Sequence, residues 1–308
     1  GEAIFESPRP GHTFQWDHAG PFPTPDWDGN NVLSLKIDVC GGRLFGKMVK
    51  STGTTAAEWI DFVRRLNAHF GRLVVARLIT DDAPYFASHE LQHFNSSQGI
   101  VHTPMPPHTQ ELNGRVERTF GTLFSMARAA MLEACTPTRS YGLCLQMMME
   151  TLNVLVHKRG GRLSRNEKWH NKIMPRQHKH LGIWGCAAVL HLNHGARGQV
   201  GGPGKLPKLE AQGEMCVMVG YSEFGKRVLR IKFLPKIVVY ESAHVTLIEN
   251  VFPFKAKPET PLNDFLTEAQ QQLLEAQDES AAAISPPRGR GRPPNAAGNS
   301  RSQRSRTP

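Results

Sequence analysis

The sequence LVVARLITD, residues 73–81, decides the expected fold. Its first eight residues are apolar and rich in β-formers, which predicts a strand that ends immediately before Asp81. Upstream, HTFQWD at residues 12–17 predicts another short strand, which a Gly-Pro pair terminates. Each strand therefore has an acid, Asp17 or Asp81, at its C-terminal end.

A third acid, Glu117, follows Asp81 after 35 intervening residues, 82–116. It lies in NGRVER, residues 113–118, where Asn-Gly favours a helix entry and a helical pattern continues to about Cys135. At 100° per residue, Glu117 lies at the edge of one apolar stripe and is well placed to meet the two strand-end acids. The stripe consists of Val116, Phe120, Leu123, Phe124, Ala127 and Met131.

Three carboxylates on a basic chain suggest a site for divalent metal. Two cations about 3.5–4 Å apart can clamp the attacking and leaving oxygens of a phosphodiester exchange. Carboxylate oxygens suit Mg²⁺ or Mn²⁺. Acids at strand ends and in first helical turns also serve as caps and dipole partners, so the spacing alone leaves both interpretations open.

Several stretches, in order, resemble the integrases of copia-type LTR retrotransposons, members of the retroviral integrase superfamily. WDHAGP at 16–21 resembles the first-acid motif, RLITD at 77–81 the second, and NGRVER at 113–118 the third. The 35-residue spacing between the second and third acids also agrees. HLGIWGC at 180–186 and VGYSE at 219–223 resemble elements further downstream, so the resemblance extends over roughly residues 11–252.

The resemblance implies an α/β fold with an RNase H-like mixed sheet flanked by helices, a small all-β (SH3-like) domain and a disordered basic tail. It implies an enzyme that trims the 3′ ends of element DNA and joins them to target DNA. Asp17, Asp81 and Glu117 would be the catalytic residues and the ligands of Mg²⁺ or Mn²⁺. DNA would be the partner, and a reaction on two DNA ends implies a homo-multimer.

Two departures from the family pattern leave a second function open. Residues 82–85 (DAPY) stand where the family usually has an Asn-Gly-Gly-Glu-like turn, and Glu111 and Leu112 stand where it usually has a Gln pair. The chain is therefore either an integrase or a catalytically decayed or domesticated integrase that acts as a DNA-binding protein. A cut-and-paste transposase shares the core chemistry, but the downstream stretches favour the retrotransposon group.

Composition and pattern predict five regions: a lead-in linker at 1–10, the catalytic core at 11–160, a basic connector at 161–182, a small β-rich domain at 183–254, and a linker helix with a disordered Arg-rich tail at 255–308.

Hydrophobic periodicity predicts the elements of the core and of the β-rich domain. In the core we expect a β-β-β-α-β-α-β-α order, with a capping box of Thr55 and Glu58 starting the first helix and Gly71 ending it. Predicted strands lie at 12–17, 32–40, 43–50, 73–80, 100–103, 187–192, 215–219, 228–234 and 237–240, and predicted helices at 55–70, 88–97, 113–135 and 141–157.

The net charge of +10 favours a polyanionic partner. Residues 285–308 contribute six arginines and no acids, and PRGRGRPP at 287–294 resembles an AT-hook, whose arginines suit narrow minor grooves. A chromatin contact is expected through this tail, although generic RNA-binding or import patches look similar. The expected location is the nucleus, with a cytoplasmic particle stage. The candidate DNA contacts are Arg115, Arg118, Arg128, Arg288, Arg290 and Arg292.

The five cysteines are scattered without a Cys-x-x-Cys pair, so we expect neither a disulfide framework nor a zinc site in this chain. The family carries a His/Cys zinc module ahead of its core, and this chain starts just upstream of the first acid. We therefore expect it to lack that module. It has no apolar run near 18 residues and no signal-peptide pattern, so a soluble intracellular protein with no membrane partner is expected.

Overall fold

The computed structural model describes residues 7–105, 110–156, 161–174, 181–191, 213–222, 225–230 and 239–256. Of residues 110–113, 214 and 225–230, it describes the backbone alone. All of them lie in the unit Gly1–Ala269.

The described elements form two five-stranded sheets and five α-helices. The strands are β1 (Thr13–Ala19), β2 (Val32–Asp38), β3 (Leu44–Val49), β4 (Arg77–Thr80), β5 (Val101–Pro104), β6 (Ala187–His191), β7 (Gly213–Ser222), β8 (Gly225–Arg230), β9 (Val239–Ser242) and β10 (Val245–Ile248). The helices are α1 (Thr55–Phe70), α2 (His89–Gln98), α3 (Gln110–Ala134), α4 (Tyr141–Val154) and α5 (Arg165–His170).

The first sheet is mixed and has the order β3-β2-β1-β4-β5. β1, β2 and β3 pair antiparallel, whereas β1, β4 and β5 pair parallel. Every residue of β2 is buried, as expected for a strand with helices over both faces. The predicted mixed sheet flanked by helices is confirmed.

Helices cover the two faces of this sheet with separate apolar clusters. On one face, Phe14 and Trp16 of β1 pack with Trp59 of α1 and with Leu91 of α2. On the other, residues of β2 pack with the predicted stripe of α3 and with the methionines of α4, Met147, Met148 and Met149. All of the stripe except the half-buried Phe124 is buried, which confirms the periodicity of α3.

The predicted capping box at the start of α1 is wrong. No side chain caps the first turn of α1, and the carboxylate of Glu58 is instead paired with Lys36 and accepts a hydrogen bond from Ser34 Oγ at 2.8 Å. A buried cation is a stronger partner for a carboxylate than a backbone N–H at a helix start. Gly71 ends α1 as predicted, in the left-handed conformation at φ 64°.

The strand expected at residues 73–80 forms only over its second half, as β4. Val74 and Val75 are buried but precede the strand, and Val74 N–H donates to the side chain of Asn67 at 3.0 Å. Leu73 is 61% exposed. Val74 and Val75 therefore pack against the core without joining the strand pairing, and Leu73 faces solvent.

The second sheet is antiparallel throughout and has the order β10-β6-β7-β8-β9. Its strands lie within the region where a β-rich domain is expected, although β10 was not predicted, and the small SH3-like domain stays a prediction. The two downstream stretches of the resemblance meet here: Tyr221 OH accepts from Gly182 N–H at 2.8 Å, and Gly185 N–H donates to Met218 O at 2.9 Å. Trp184 joins this sheet to the end of α3 by donating to Thr136 Oγ1 at 3.1 Å.

The helix α5 lies inside the segment predicted to be a basic connector. Ser164 and Glu167 form a reciprocal capping box at its start, a pattern that the sequence displays and that we did not predict. Trp169 of α5 is buried among Phe14, Phe45 and Phe70. The connector is thus packed onto the core for at least this turn.

Several expectations lie outside the described residues, among them the AT-hook-like motif with Arg288, Arg290 and Arg292 and the linker helix. The side chains of Glu111 and Leu112 are outside them as well. Among the described helices, none has the length and apolar character needed to cross a membrane. All five cysteines are free.

A buried ion pair between Lys36 and Glu58 should contribute strongly to stability. Their side chains are 3% and 9% exposed, and Lys36 also donates to Ser34 Oγ at 3.2 Å and lies 4.2 Å from the ring centre of Trp16. Lys36→Met would leave the Glu58 carboxylate buried without its cation. We expect a loss of about 3–5 kcal/mol in the free energy of unfolding, measured by urea denaturation.

The double variant Lys36→Met, Glu58→Leu should recover part of this loss, because neither charge remains buried alone. Arg65→Met is the matched control, since its partner Asp61 and Arg65 itself are 56% and 78% exposed. It should change stability by less than about 1 kcal/mol. A double variant as unstable as the sum of the two single variants would contradict the buried-pair account.

Candidate active site

Parallel pairing of β1 and β4 brings Asp17 and Asp81 to one edge of the sheet. Gln15 pairs with Ile79, and the same register continued by two residues sets Asp17 opposite Asp81. Both side chains are half-buried. Because the C-terminal ends of parallel strands lie at the same edge, the two predicted acids become neighbours.

Asp17 lies on the face of β1 that α3 covers. Its cross-strand partner is Leu35, whose side chain packs with Val116 and Phe120 of α3. The flanking residue Trp16 faces the other way, into the cluster under α1. The alternation of β1 therefore directs the first acid toward the helix that bears the third acid.

Residues 82–85, which differ from the pattern that the resemblance implies, lead into an ordered turn directly after Asp81. A 3₁₀ turn, Pro84–Ala87, begins with proline at its first position, where a missing backbone N–H costs no hydrogen bond. Ala83 N–H donates to Asp81 Oδ1 at 3.3 Å, and Phe86 is buried in the core. The turn thus begins with proline rather than with the glycines that the resemblance implies, and its Ala83 N–H donates to Asp81.

Tyr85 and His18 form an aromatic floor behind the two acids, because His18 lies with Trp16 on the face of β1 opposite to Asp17. The rings of Tyr85 and His18 are 5.1 Å apart and edge to face. Burial raises the pKa of Tyr85, and the negative charges of Asp81 and Asp17 raise it further. Burial, with the nearby charge of Lys36, lowers the pKa of His18 to about 3, so the imidazole is neutral near pH 7. Both groups are uncharged neighbours of the acids.

Burial raises the pKa of Asp81, the charge of Asp82 adds to this, and the Ala83 N–H opposes it. The charged form of Asp81 is thus poorly compensated by the protein's own donors. A divalent cation would supply the missing compensation, and the carboxylate oxygens of Asp17 and Asp81 are the ligands that Mg²⁺ and Mn²⁺ prefer. These two residues fit such an ion.

Glu117 lies at the margin of the buried face of α3, as predicted. Val116 beside it is fully buried, whereas Glu117 is exposed. Within the described part of the chain, no group of three or more His, Cys, Asp or Glu side chains is arranged to hold a metal ion. The structure therefore brings Asp17 and Asp81 together but does not bring Glu117 into a three-acid group with them.

The candidate DNA-contacting arginines of α3 have different surroundings. Arg115 donates from Nη1 to Val39 O at 2.7 Å. Arg118 is exposed and folds back along α3, so that its Nη1 lies 2.8 Å from the position that a Cβ would take on Gly114. Arg128 is half-buried. Arg115 and Arg118 are thus both exposed, and all three assignments stay predictions.

Sequence reasoning missed Tyr85 and His18 as parts of this site. His18 lies inside the quoted stretch at 16–21 and Tyr85 inside the quoted stretch at 82–85, but neither ring has a spacing signal of its own. Their meeting depends on β1 and the turn after β4 lying side by side, which only the strand pairing determines.

Comparison with known proteins identifies relatives of this chain. It is 25% identical over 214 residues to the "Retrovirus-related Pol polyprotein from transposon TNT 1-94" of Nicotiana tabacum, which covers 69% of this chain and 15% of the polyprotein. It is 27% identical over 164 residues to the corresponding polyprotein from transposon RE2 of Arabidopsis thaliana, covering 53% of this chain and 10% of the polyprotein. No protein-family model matches.

The chain is therefore related to the Pol polyproteins of plant retrotransposons, which confirms the relationship expected from the sequence. It spans 15% or less of the length of these two relatives. The narrower copia-type assignment stays a prediction.

Solved retroviral integrase structures are also similar. The HTLV-2 integrase catalytic core in complex with magnesium (trimeric form) is 23% identical with a TM-score of 0.41, covering 54% of this chain and all of that one. A simian T-cell lymphotropic virus intasome chain is 20% identical with a TM-score of 0.43, covering 79% of this chain and 81% of that one.

Replacing His18 by phenylalanine should stabilise the fold. Both ring nitrogens of His18 are buried and have no hydrogen-bond partner among the described residues, while its neighbours are Trp16, Tyr85 and Phe86. Removing buried, unpaired polar atoms should add about 1–2 kcal/mol to the free energy of unfolding at neutral pH, measured in urea.

His102→Phe is the matched control, because His102 Nε2 has a partner, Thr80 Oγ1, at 3.0 Å. That variant should lose stability, since the Thr80 hydroxyl, which also donates to Asp81 O at 2.7 Å, would lose its second hydrogen bond. If both variants lost stability equally, His18 would have an important partner that the described residues do not include.

Proposed function

We propose that this chain contains the catalytic core of a retrotransposon integrase, which joins the 3′ ends of element DNA to target DNA. The observation that carries the proposal is the register of β1 and β4, in which Gln15 pairs with Ile79, so that the same register continued by two residues sets Asp17 opposite Asp81. The relationship to retrotransposon Pol polyproteins supports it.

The proposed reaction exchanges one phosphodiester bond for another. The oxygen of the element's 3′-hydroxyl forms a bond to a target-strand phosphorus, and the bond from that phosphorus to the target's own 3′ oxygen breaks. In the preceding trimming step, water is the attacking group. No side chain of the site is needed as a nucleophile.

Asp17, Asp81 and Glu117 would hold Mg²⁺ or Mn²⁺, with Glu117 approaching the aspartate pair when DNA is bound. The bound metal would activate the attacking oxygen and stabilise negative charge on the phosphate. Asp17 and Asp81 would position the site from the sheet edge, while Tyr85 and His18 would exclude water from its floor.

The exposed arginines of α3 would contact DNA phosphates beside the acids. A homo-multimer would bring the two DNA ends together, and the work of the protein on chromosomal DNA implies the nucleus. Arg288, Arg290 and Arg292 would add minor-groove or chromatin contacts.

A second candidate function is a decayed or domesticated integrase that binds DNA without cutting it. The exposed position of Glu117 and the missing three-acid group among the described residues favour it. It predicts DNA affinity without any metal-dependent joining.

A strand-transfer assay on short duplex ends tests the proposal. Wild type should give joined product with Mg²⁺ or Mn²⁺, and Glu117→Gln should reduce the rate at least about 1,000-fold, which corresponds to about 4 kcal/mol. Glu133→Gln is the matched control, because Glu133 is an exposed glutamate on the same helix whose partner is Lys255.

DNA affinity should be nearly the same in all three proteins, because Glu117 adds no favourable phosphate contact. Equal joining by wild type and Glu117→Gln would remove Glu117 from the site. No product from any of the proteins, with DNA binding retained, would favour the second candidate function.

The arginines of α3 can be tested by the salt dependence of duplex binding. Loss of one phosphate contact should reduce the magnitude of the slope of log affinity against log salt by roughly 0.9. We expect this for Arg118→Gln and for Arg128→Gln. Arg64→Gln, an exposed arginine on α1, should leave the slope unchanged, and an unchanged slope in either test variant would exclude that arginine.

A further inference from the structure

A group of basic side chains surrounds the turn between β2 and β3. The turn, residues 39–43, follows Asp38, and its Gly41 and Gly42 N–H groups donate to Asp38 Oδ2 and Asp38 O at 2.5 and 2.9 Å. We define the basic turn surface as Arg43, Arg115, Arg165, Lys168 and His170.

The members of this surface come from three distant parts of the sequence. Arg115 of α3 donates to Val39 O at 2.7 Å. Arg165 Nε would lie 3.7 Å from a Cβ on Gly42, and Lys168 Cβ would lie 3.3 Å from a Cβ on Gly41. The helix α5 therefore lies directly against this turn, and glycine at position 41 leaves room for Lys168.

The guanidinium groups are fixed by neutral acceptors. Arg165 Nη1 donates to Leu152 O at 2.9 Å, and Arg43 Nη1 lies 3.2 Å from His170 Nε2. Arg43 also lies over the rings of Phe45 and Trp169, at 4.9 and 5.3 Å. A guanidinium has five N–H donors, so each arginine keeps donors beyond those bonds.

Acids near the basic turn surface balance its charge only in part. Asp38 is fully buried and accepts from the glycine N–H groups, including Gly11 at 2.9 Å. Burial lowers the pKa of Arg43 and of Arg115, and the negative charge of Asp38 opposes this shift in both. Glu167 caps its own helix and accepts from Met174 N–H. Glu150 acts on Arg43, but no described acid side chain forms an ion pair with Arg115, Arg165 or Lys168.

The cations are also close enough to disfavour one another. Burial lowers the pKa of Arg165, and the charge of Arg115 lowers it further. Like charges held together on fixed side chains are relieved by a polyanion, which makes phosphate the expected ligand chemistry.

The basic turn surface is separate from the acid site but shares α3 with it. Phe14 of β1 pairs with Asp38, and Asp17 lies three residues further along the strand, about 10 Å away at roughly 3.3 Å per residue. On α3, Glu117 follows Arg115 by two residues.

We propose that the basic turn surface binds the phosphate backbone of duplex DNA and extends the DNA path away from Asp17, Asp81 and Glu117. The choice of duplex DNA rests on the proposed function. The binding itself requires no catalysis, so it should be the same in a Glu117→Gln background.

The test is the salt slope of the full chain for a fluorescent duplex, measured by anisotropy. The double variant Arg165→Gln, Lys168→Gln should reduce the magnitude of the slope by about 1.8, two phosphate contacts at about 0.9 each. Its affinity would then fall roughly tenfold less than that of wild type between about 50 and 200 mM salt.

Three further variants separate charge from structure. Arg165→Lys, Lys168→Arg keeps both charges and should keep the wild-type slope. Lys50→Gln, Arg64→Gln removes two exposed charges from the far end of β3 and from α1, and should also keep it. The side chain of Lys168 forms no hydrogen bond with the described residues. Lys168→Gln alone should therefore reduce the slope by about 0.9, even if Arg165 substitutions unfold the chain.

An unchanged slope in Lys168→Gln would overturn the proposal. So would an equal loss in the charge-preserving variant, or a salt-dependent loss seen with single-stranded RNA or anionic lipid vesicles and not with duplex DNA. Failure of strand transfer with these slopes intact would reject the proposed function and leave the surface in place.

Discussion

The parallel pairing of β1 with β4 is the constraint on which the rest of this structure depends. It joins an antiparallel hairpin region to a parallel region in one sheet, and it aligns the ends of two strands that are distant in sequence. Without this pairing, Asp17 and Asp81 would lie at the ends of separate strands and could not form one site. With it, two half-buried carboxylates share one edge and one aromatic floor.

Side chains of β1 alternate between the two faces of the sheet, and each face has a different role. Trp16 and Lys36 face α1, where the carboxylate of Glu58 balances the buried ammonium of Lys36. The Lys36–Glu58 pair therefore lies on the side of the sheet opposite to Asp17. Asp17 turns to α3. A slip of one residue in β1 would exchange these faces and bury the acid against the aromatic cluster, so packing under α1 and the position of Asp17 are set together.

Periodic signals in the sequence were enough for the order of core elements, for the stripe of α3 and for the ends of α1, and the resemblance supplied the mixed sheet. They failed where a distant partner decided the outcome. Glu58 had the spacing of a capping box, but Lys36 from β2 took its carboxylate. Residues 73–76 had strand composition without a place in the ladder, and β10 is a short strand fixed by its pairing with β6. The capping box of α5 has a sequence signal, Ser164 followed by Glu167, but the basic residues around it led to the prediction of a connector instead of a helix.

For the site, the sequence identified the acids, and strand pairing supplied what the sequence lacked: which acids meet, on which face, and beside which aromatic rings. The most direct test is a crystal of the chain grown with Mn²⁺ and measured for anomalous scattering. The account predicts a manganese ion bound between the carboxylates of Asp17 and Asp81. Separated carboxylates, or manganese bound only elsewhere on the chain, would contradict it.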